Sequence, residues 1–179
     1  MNPKVSIIIP NYNHVAFLQQ RLDSVFNQTF PDFEVILLDD ASTDGSQDLL
    51  KTYKSHKKVS HTVFNTVNSG SPFKQWQKGI ELAKGDYIWI AESDDYCKTT
   101  FLETCIGKMN NKTGLCYVQS IDVNENGKPL LHRLEYTKSF VPNIWESSFN
   151  MLGKDFIKNY LLVKNVIPNA SAVLFKREL

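Results

Sequence analysis

The strongest indication of the fold class is the sequence Gly85-Asp86-Tyr87-Ile88-Trp89-Ile90-Ala91-Glu92-Ser93-Asp94-Asp95-Tyr96. Its first half is an apolar and aromatic run, Tyr87 to Ala91, which is typical of a central strand in a sheet covered on both faces. Three carboxylates follow within four residues. Carboxylates this close repel one another unless a cation or a ligand neutralises them, and their hard oxygens suit Mg²⁺ or Mn²⁺. The alternative interpretation of this stretch alone is an acidic loop in water.

The segments before this strand alternate between strand and helix patterns. The β-branched runs Val5 to Pro10 and Phe33 to Leu38 predict buried strands, and Val59 to Val67 predicts a third. Apolar residues at a period near 3.6 predict helices between the strands. The predicted helix starts are Asn13 as an N-cap, Asp44 with Gln47 as a capping box, and Ser71 with Pro72 as N-cap and first helical residue. The alternation predicts an α/β fold with a mostly parallel sheet that helices cover on both faces.

The pattern weakens after the acidic loop. The remaining predicted elements are a helix from Phe101 to Met109, a fifth strand from Leu115 to Ile121, a turn at Asn126-Gly127, a helix from Met151 to Leu162 and a strand from Ala172 to Phe175. We expect the chain to end before its fold is complete.

Composition excludes some classes of protein and favours a cytoplasmic one. The formal net charge of the 179 residues is +1, with no long block of like charges, so no nucleic-acid partner is indicated. The three cysteines, Cys97, Cys105 and Cys116, lack a CxxC spacing and are predicted to be free thiols of a reducing compartment. The apolar run that ends at Pro10 is too short for a signal peptide or a membrane span.

Three predicted strands end in polar groups, namely Pro10-Asn11-Tyr12-Asn13, Asp39-Asp40 and Glu92-Ser93-Asp94-Asp95. In a doubly wound sheet these ends lie along one edge, where ligands bind. An aromatic ring can stack on a base, a carboxylate can accept from a base N–H or a ribose hydroxyl, and an acidic pair can hold the metal on phosphates. The sequence contains neither a P-loop nor a GxGxxG motif, so a cation must offset the phosphate charge.

These motifs together resemble those of family 2 glycosyltransferases. The resemblance is carried, in order, by Val5-Ser-Ile-Ile-Ile-Pro-Asn-Tyr-Asn13, Ser24-Val-Phe-Asn-Gln-Thr-Phe30, Phe33-Glu-Val-Ile-Leu-Leu-Asp-Asp-Ala-Ser-Thr-Asp44, Asn68-Ser-Gly70, Lys78-Gly-Ile-Glu-Leu-Ala-Lys-Gly-Asp-Tyr-Ile88 and Ser93-Asp-Asp95. It implies a GT-A, Rossmann-like fold and transfer of a sugar from a nucleotide-sugar donor, with inversion, to a glycan or lipid-linked acceptor. It also implies one domain over residues 1–179, with a nucleotide-binding half at 1–121 and an incomplete acceptor-binding half at 122–179.

The resemblance assigns roles to five residues. Pro10 and Tyr12 match the positions that line the base, and Asp40 matches the carboxylate that reads uracil in UDP-using members. Asp94 matches a position near the ribose and the sugar, and Asp95 matches the ligand of Mn²⁺ or Mg²⁺. The alternative for Tyr12 is a packed loop aromatic, and for Asp39 a helix-capping or loop carboxylate. Two further expectations come from the residues themselves: Phe73 and Trp76 lie in the core, and His14 lies at the surface.

The sequence departs from the family pattern in two places. Relatives carry an arginine in the helix after the Asn-x-Gly turn, and here Lys74 or Lys78 is the candidate substitute. The general base of relatives follows a strand like Ala172 to Phe175 and is expected beyond Leu179. A nucleotide-sugar-binding module without transfer activity therefore stays the alternative function.

A sugar nucleotidyltransferase is a further alternative with a similar sheet. It would need a glycine-rich loop after the first strand, and Asn11-Tyr-Asn-His14 contains no glycine. The resemblance also allows contact with the inner face of a membrane, through residues outside this chain.

Overall fold

The computed structural model describes residues 2–179. The strands are β1 Val5–Asn11, β2 Phe33–Asp39, β3 Val59–Phe64, β4 Tyr87–Ile90, β5 Leu115–Tyr117, β6 Ile121–Val123, β7 Pro129–His132 and β8 Val173–Lys176. The α-helices are α1 Val15–Phe26, α2 Ser46–Tyr53, α3 Pro72–Leu82, α4 Phe101–Ile106, α5 Leu134–Thr137 and α6 Gly153–Phe156. Short 3₁₀ turns lie at Ile144–Glu146 and Ala170–Ala172, and α6 continues as a π-turn over Ile157–Leu161.

A six-stranded sheet with the order β3-β2-β1-β4-β8-β5 forms the centre of the fold. Strands β1 to β4 are parallel, and β8 runs antiparallel to β4. All positions of β1, β2 and β4 are buried, as expected for strands covered on both faces. The predicted α/β fold with a mostly parallel sheet is confirmed. Two predicted strands are too long, because β3 ends at Phe64 and β5 ends at Tyr117, after which Ile121 begins a separate hairpin.

Helix α3 packs against β1 through a face that differs from the predicted one. The expectation that Phe73 and Trp76 lie in the core is wrong, since Phe73 is 66% exposed and Trp76 is only half-buried. The buried residues of α3 are Gln75 and Gly79. A Cβ atom at Gly79 would lie 2.4 Å from Cγ2 of Ile8. Only a residue without a side chain therefore allows the helix to approach β1 this closely.

The chain divides into two compact units, residues up to Cys116 with Val173–Leu179, and Tyr117–Ala172. The second unit holds the antiparallel hairpin β6–β7, which confirms the turn predicted at Asn126-Gly127. Its own small core is built on Trp145, Phe156 and Val166. No helix within residues 2–179 is both long enough and apolar enough to cross a bilayer.

Candidate functional site

The register of the parallel strands places the three polar strand ends along one edge of the sheet. Asn11 of β1 lies beside Asp39 of β2, and Ile8 of β1 lies beside Ile90, the last residue of β4. The residues that follow each strand therefore start from the same edge. Pro10 is buried within β1, whereas Tyr12 follows the strand and is 46% exposed.

Asp39 holds the loops that follow β1 and β2 together. Its fully buried carboxylate accepts hydrogen bonds from Nδ2 of Asn11 at 2.8 Å, the main-chain N–H of Ser42 at 2.9 Å and Nε2 of Gln47 at 2.8 Å. These contacts agree with the alternative interpretation of Asp39, in which its carboxylate holds a loop. The capping box predicted for Asp44 and Gln47 is only half right: Oδ1 of Asp44 accepts from the N–H of Ser46, the first residue of α2, at 2.9 Å, whereas the Gln47 side chain reaches Asp39 instead of the helix end.

The start of α1 is also capped from the neighbouring loop. Asn13, the predicted N-cap, adopts a left-handed conformation with φ 56°, and its Oδ1 accepts from the N–H of Thr43 at 2.8 Å. Oδ2 of Asp44 instead accepts from the N–H of Val15, the first residue of α1, at 2.8 Å. The two loops thus exchange hydrogen bonds, and this fixes the segment that presents Tyr12.

Asp40 lies at the centre of a dense hydrogen-bond network. Its Oδ1 accepts from Nδ2 of Asn65 at 2.6 Å and Nε2 of Gln75 at 2.8 Å, and its Oδ2 accepts from Oγ of Ser69 at 2.7 Å. The N–H of Ser69 is shared between both oxygens. These four donors match the roughly four lone pairs that a carboxylate offers. Burial opposes ionisation, but the bonds from Ser69 and Asn65 outweigh it, so the pKa of Asp40 lies below its ordinary value.

The two candidate lysines lie around this network. Nζ of Lys74 donates to the carbonyl of Ser69 at 2.8 Å, and Nζ of Lys78 donates to Oδ1 of Asn65 at 2.8 Å. Both lysines therefore bind the residues that hold Asp40. A direct contact of either lysine with a diphosphate stays a prediction.

Asp94 and Asp95 differ from Asp40 in having no partners. Asp94 is exposed and Asp95 is half-buried. Among residues 2–179, no side chain or main-chain group forms a hydrogen bond or an ion pair with either carboxylate. Their oxygens are free to accept a cation or a ligand group.

The backbone and the first carboxylate of the acidic loop are anchored by groups that the sequence analysis missed or misplaced. Nε of Arg21, a fully buried residue of α1, donates to the Glu92 carbonyl at 2.7 Å. Nε1 of Trp76 donates to Oε1 of Glu92 at 2.6 Å, and Nδ1 of His14 lies 2.9 Å from Oγ of Ser93. His14 is half-buried, so its predicted surface position is only partly right. An available signal for Arg21 was its place on the apolar face of α1.

Glu92 has an unusual proton affinity for a carboxylate. Burial, together with the nearby negative charges of Asp94 and Asp95, raises its pKa to about 7, although the hydrogen bond from Trp76 and the positive charge of Arg21 lower it. The three acidic residues therefore repel one another in this structure. A site of this kind favours any ligand that brings positive charge to it.

The acidic loop fits a divalent cation that a ligand helps to hold. Within the described residues, no three His, Cys, Asp or Glu side chains form a group that could enclose a metal ion. Mg²⁺ and Mn²⁺ are hard cations, and Mg²⁺ typically binds through one or two carboxylates together with phosphate oxygens and water. The unpaired carboxylate of Asp95 supplies such a single protein ligand, with the unpaired Asp94 beside it, so the residues present fit a metal carried on a diphosphate.

The chain matches a family model described as Glycosyl transferase family 2 over residues 6–179, and it belongs to that family. The resemblance seen in the sequence is thereby confirmed. Poly(ribitol-phosphate) beta-glucosyltransferase of Bacillus spizizenii is 45% identical over 95 residues, which cover 52% of this chain and 15% of that protein.

Solved structures share the fold of this chain. The structure of S. aureus TarS 1-349 in complex with UDP-GlcNAc is 31% identical with a TM-score of 0.53, over 56% of this chain and 29% of that one. The mannosyltransferase PcManGT from Pyrobaculum calidifontis, in complex with GDP-Man and Mn²⁺, is 23% identical with a TM-score of 0.58, over 67% of this chain and 36% of that one, and shares the fold. The chain spans well under half the length of each of these proteins.

Proposed function

We propose that this chain is the donor-binding part of a metal-dependent glycosyltransferase. The enzyme moves a sugar, with inversion, from a nucleotide-sugar, by preference a UDP-sugar, to a glycan or lipid-linked acceptor. The observation that carries the proposal is the pair of carboxylate sites after β2 and β4, the strands that flank β1. Family membership supports sugar transfer, and the TarS complex with UDP-GlcNAc supports a UDP-sugar donor.

The base of the nucleotide binds at the loops after β1 and β2. Tyr12, which is 46% exposed, stacks on the base beside Pro10, and Asp40 accepts the base N–H. The Asp40 carboxylate gains a free lone pair when the hydroxyl of Ser69 rotates away. The hydrogen of that hydroxyl can turn towards the carbonyl of Ser71, which lies 3.2 Å from Oγ of Ser69, without any heavy atom moving.

The diphosphate and the sugar bind at the acidic loop. Asp95 holds Mn²⁺ or Mg²⁺, and Asp94 lies near the ribose and the sugar. When bound, such a metal offsets the negative charge that develops on the departing diphosphate. The PcManGT structure with GDP-Man and Mn²⁺ supports a divalent cation in this fold.

Transfer is a single displacement at the anomeric carbon. The acceptor hydroxyl gives its proton to a general base while its oxygen forms the new bond, and the bond to the diphosphate breaks on the opposite face. Attack from that face inverts the configuration. We assign no residue of this chain as the general base.

The wider setting is also part of the proposal. We propose that residues 1–121 form the nucleotide-binding half and residues 122–179 begin the acceptor-binding half. The poly(ribitol-phosphate) relative supports a cell-envelope glycan as acceptor. The three cysteines are free, which supports the reducing environment of the cytoplasm.

A comparison of UDP with CDP tests the assignment of Asp40. Uracil presents an N–H at ring position 3, where cytosine presents an unprotonated nitrogen that would face the Asp40 carboxylate. We expect UDP to bind about tenfold or more tightly than CDP, because the charged acceptor is left unpaired by CDP. Calorimetric titration in Mn²⁺ measures this ratio. The variant Asp40→Asn should lose the preference for UDP over CDP. The neighbouring Asp39 and its hydrogen bonds are left unchanged by this substitution.

Two results would contradict the proposal. Equal affinity for UDP and CDP would show that Asp40 does not read the base, and no binding of any nucleoside diphosphate would remove the donor site. Release of UDP from a UDP-sugar separates an enzyme from the alternative, a binding module that retains the donor intact.

A further inference from the structure

Two consecutive residues of α3 connect the two carboxylate sites. Nε2 of Gln75 donates to Oδ1 of Asp40 at 2.8 Å, and Nε1 of Trp76 donates to Oε1 of Glu92 at 2.6 Å. Gln75 is buried and Trp76 is half-buried. A single turn of one helix therefore contacts the residue after β2 and the residue that opens the acidic loop after β4.

The Glu92 main chain is held from a second direction. Its carbonyl accepts from Nε of the buried Arg21 at 2.7 Å and from the N–H of Asp95 at 3.2 Å. The side chain of Arg21 also stacks on the ring of Trp89, with its guanidinium carbon 5.6 Å from the ring centroid. Movement of Glu92 would therefore displace the turn that carries Asp95.

The contact between Trp76 and Glu92 is more than packing. An indole N–H can only donate, and it is matched here with a carboxylate that lies among other acidic residues. A phenylalanine at position 76 would fill much of the same space without the hydrogen bond. It would also keep a ring against Phe73, which packs edge-on against the Trp76 ring with 5.0 Å between centroids. The distance of 2.6 Å makes this a short N–H···O hydrogen bond.

We propose that Trp76 and Glu92 are positioning residues that hold the metal-binding loop in a fixed place relative to Asp40. The inference rests on the proposed function, because it takes Asp95 as the metal ligand. Trp76 acts on the metal through Glu92, and Glu92 acts through the turn to Asp95. Neither is assigned as a metal ligand itself.

The test measures how much Mn²⁺ tightens the binding of UDP, by calorimetric titration with the metal and with a chelator. Trp76→Phe removes the donor and Glu92→Ala removes the acceptor. Partners that orient metal ligands typically contribute tenfold to hundredfold in metal affinity, so we expect each variant to lose about tenfold or more of the Mn²⁺-dependent gain. Glu92→Gln keeps an oxygen that accepts from the indole and should retain most of the gain.

Two further measurements make the test specific. Gln77→Ala, on the same helix with its side chain bonded to Glu81, is the matched control and should behave as wild type. The chemical shift of the Trp76 indole ¹H–¹⁵N resonance reports the hydrogen bond without any ligand. This chemical shift should change in Glu92→Ala and should stay close to the wild-type value in Glu92→Gln. If Trp76→Phe does not fold, the two Glu92 variants decide the question.

Each outcome has a distinct meaning. Loss in Trp76→Phe and Glu92→Ala with retention in Glu92→Gln supports the proposal. Equal loss in Glu92→Gln and Glu92→Ala, with Trp76→Phe near wild type, would overturn it, because Glu92 would then be a direct ligand. Wild-type gains in all variants would also overturn it while leaving the UDP site intact. If wild type binds no UDP, the proposed function fails. The affinity of each variant for Mn²⁺ alone, measured by electron paramagnetic resonance, is then compared with that of wild type in place of the Mn²⁺-dependent gain, and the same pattern of losses supports or overturns the inference.

Discussion

The two carboxylate regions of the site are built in opposite ways. Asp40 is almost fully buried and accepts from four donor groups, whereas Asp94 and Asp95 are more exposed and have no partners within residues 2–179. The first region is pre-organised by the protein and stabilises the fold even without a ligand. The second region presents carboxylates without hydrogen-bond partners, whose charge a ligand can neutralise. The contrast predicts that equal substitutions will have unequal effects in the two regions.

The largest effect is expected where the acidic loop is anchored. Arg21→Ala should lower the free energy of unfolding by about 2–5 kcal/mol, because it leaves a cavity in the core and removes a hydrogen bond to the Glu92 carbonyl. Denaturation in urea, with an unchanged m-value, measures this loss. Arg21→Met retains much of the volume and separates the two contributions. Stability within about 0.5 kcal/mol of wild type would show that the loop does not depend on this anchor.

A smaller effect is expected at the base-binding carboxylate. Asp40→Asn should lower the free energy of unfolding by about 1–3 kcal/mol at neutral pH, because the asparagine NH₂ faces donors that need an acceptor. Thermal or urea denaturation measures the change. If Asp40→Asn were as stable as wild type, the network around this carboxylate would not stabilise the fold.

The stability difference between wild type and Asp40→Asn should depend on pH. The pKa of Asp40 is lowered in the folded protein, so its stabilising contribution is present above the ordinary value of 3.8 and is lost as the pH falls through the folded-state value. The gap in stability between wild type and Asp40→Asn should be constant from neutral pH down to this region and should narrow below it. A gap that widens on acidification would have the wrong sign.

The smallest effect is expected at the unpaired region. Asp94→Asn, the same chemical change as Asp40→Asn, should alter the free energy of unfolding by no more than about 0.5 kcal/mol, with a slight gain because one repelling charge is removed. Parallel urea titrations of the two variants compare the regions directly. A loss at Asp94 as large as that at Asp40 would abolish the distinction between them.

The sequence predicted the sheet well because its strands leave a strong local signal. Buried parallel strands appear as short continuous apolar runs, and β4 was predicted to within one residue. The placement of the polar groups at strand ends followed from topology alone. The roles of Asp40 and Asp95 came from the family resemblance and stay predictions.

The rotation of α3 was not predictable from hydrophobicity. The stripe of Phe73, Trp76 and Ile80 and the stripe of Gln75 and Gly79 both have helical spacing, and the first is the more apolar. The approach of Gly79 to Ile8 selects the second. This choice brings Gln75 to Asp40 and Trp76 to Glu92. The caps were predicted only in part for a similar reason, since Gln47 and one oxygen of Asp44 bond across loops that only the folded sheet brings together, while the other oxygen of Asp44 caps α2 locally.

The most direct test of the account is the titration of UDP with and without Mn²⁺ into wild type and Asp95→Ala. The matched control is Asp86→Ala, an exposed carboxylate that precedes β4 and pairs with Lys4 at 2.8 Å. We expect Mn²⁺ to tighten UDP binding to wild type and Asp86→Ala and to have no effect on Asp95→Ala. Equal tightening in all three proteins would contradict this expectation, because the unpaired carboxylate after β4 would then not be where the metal binds.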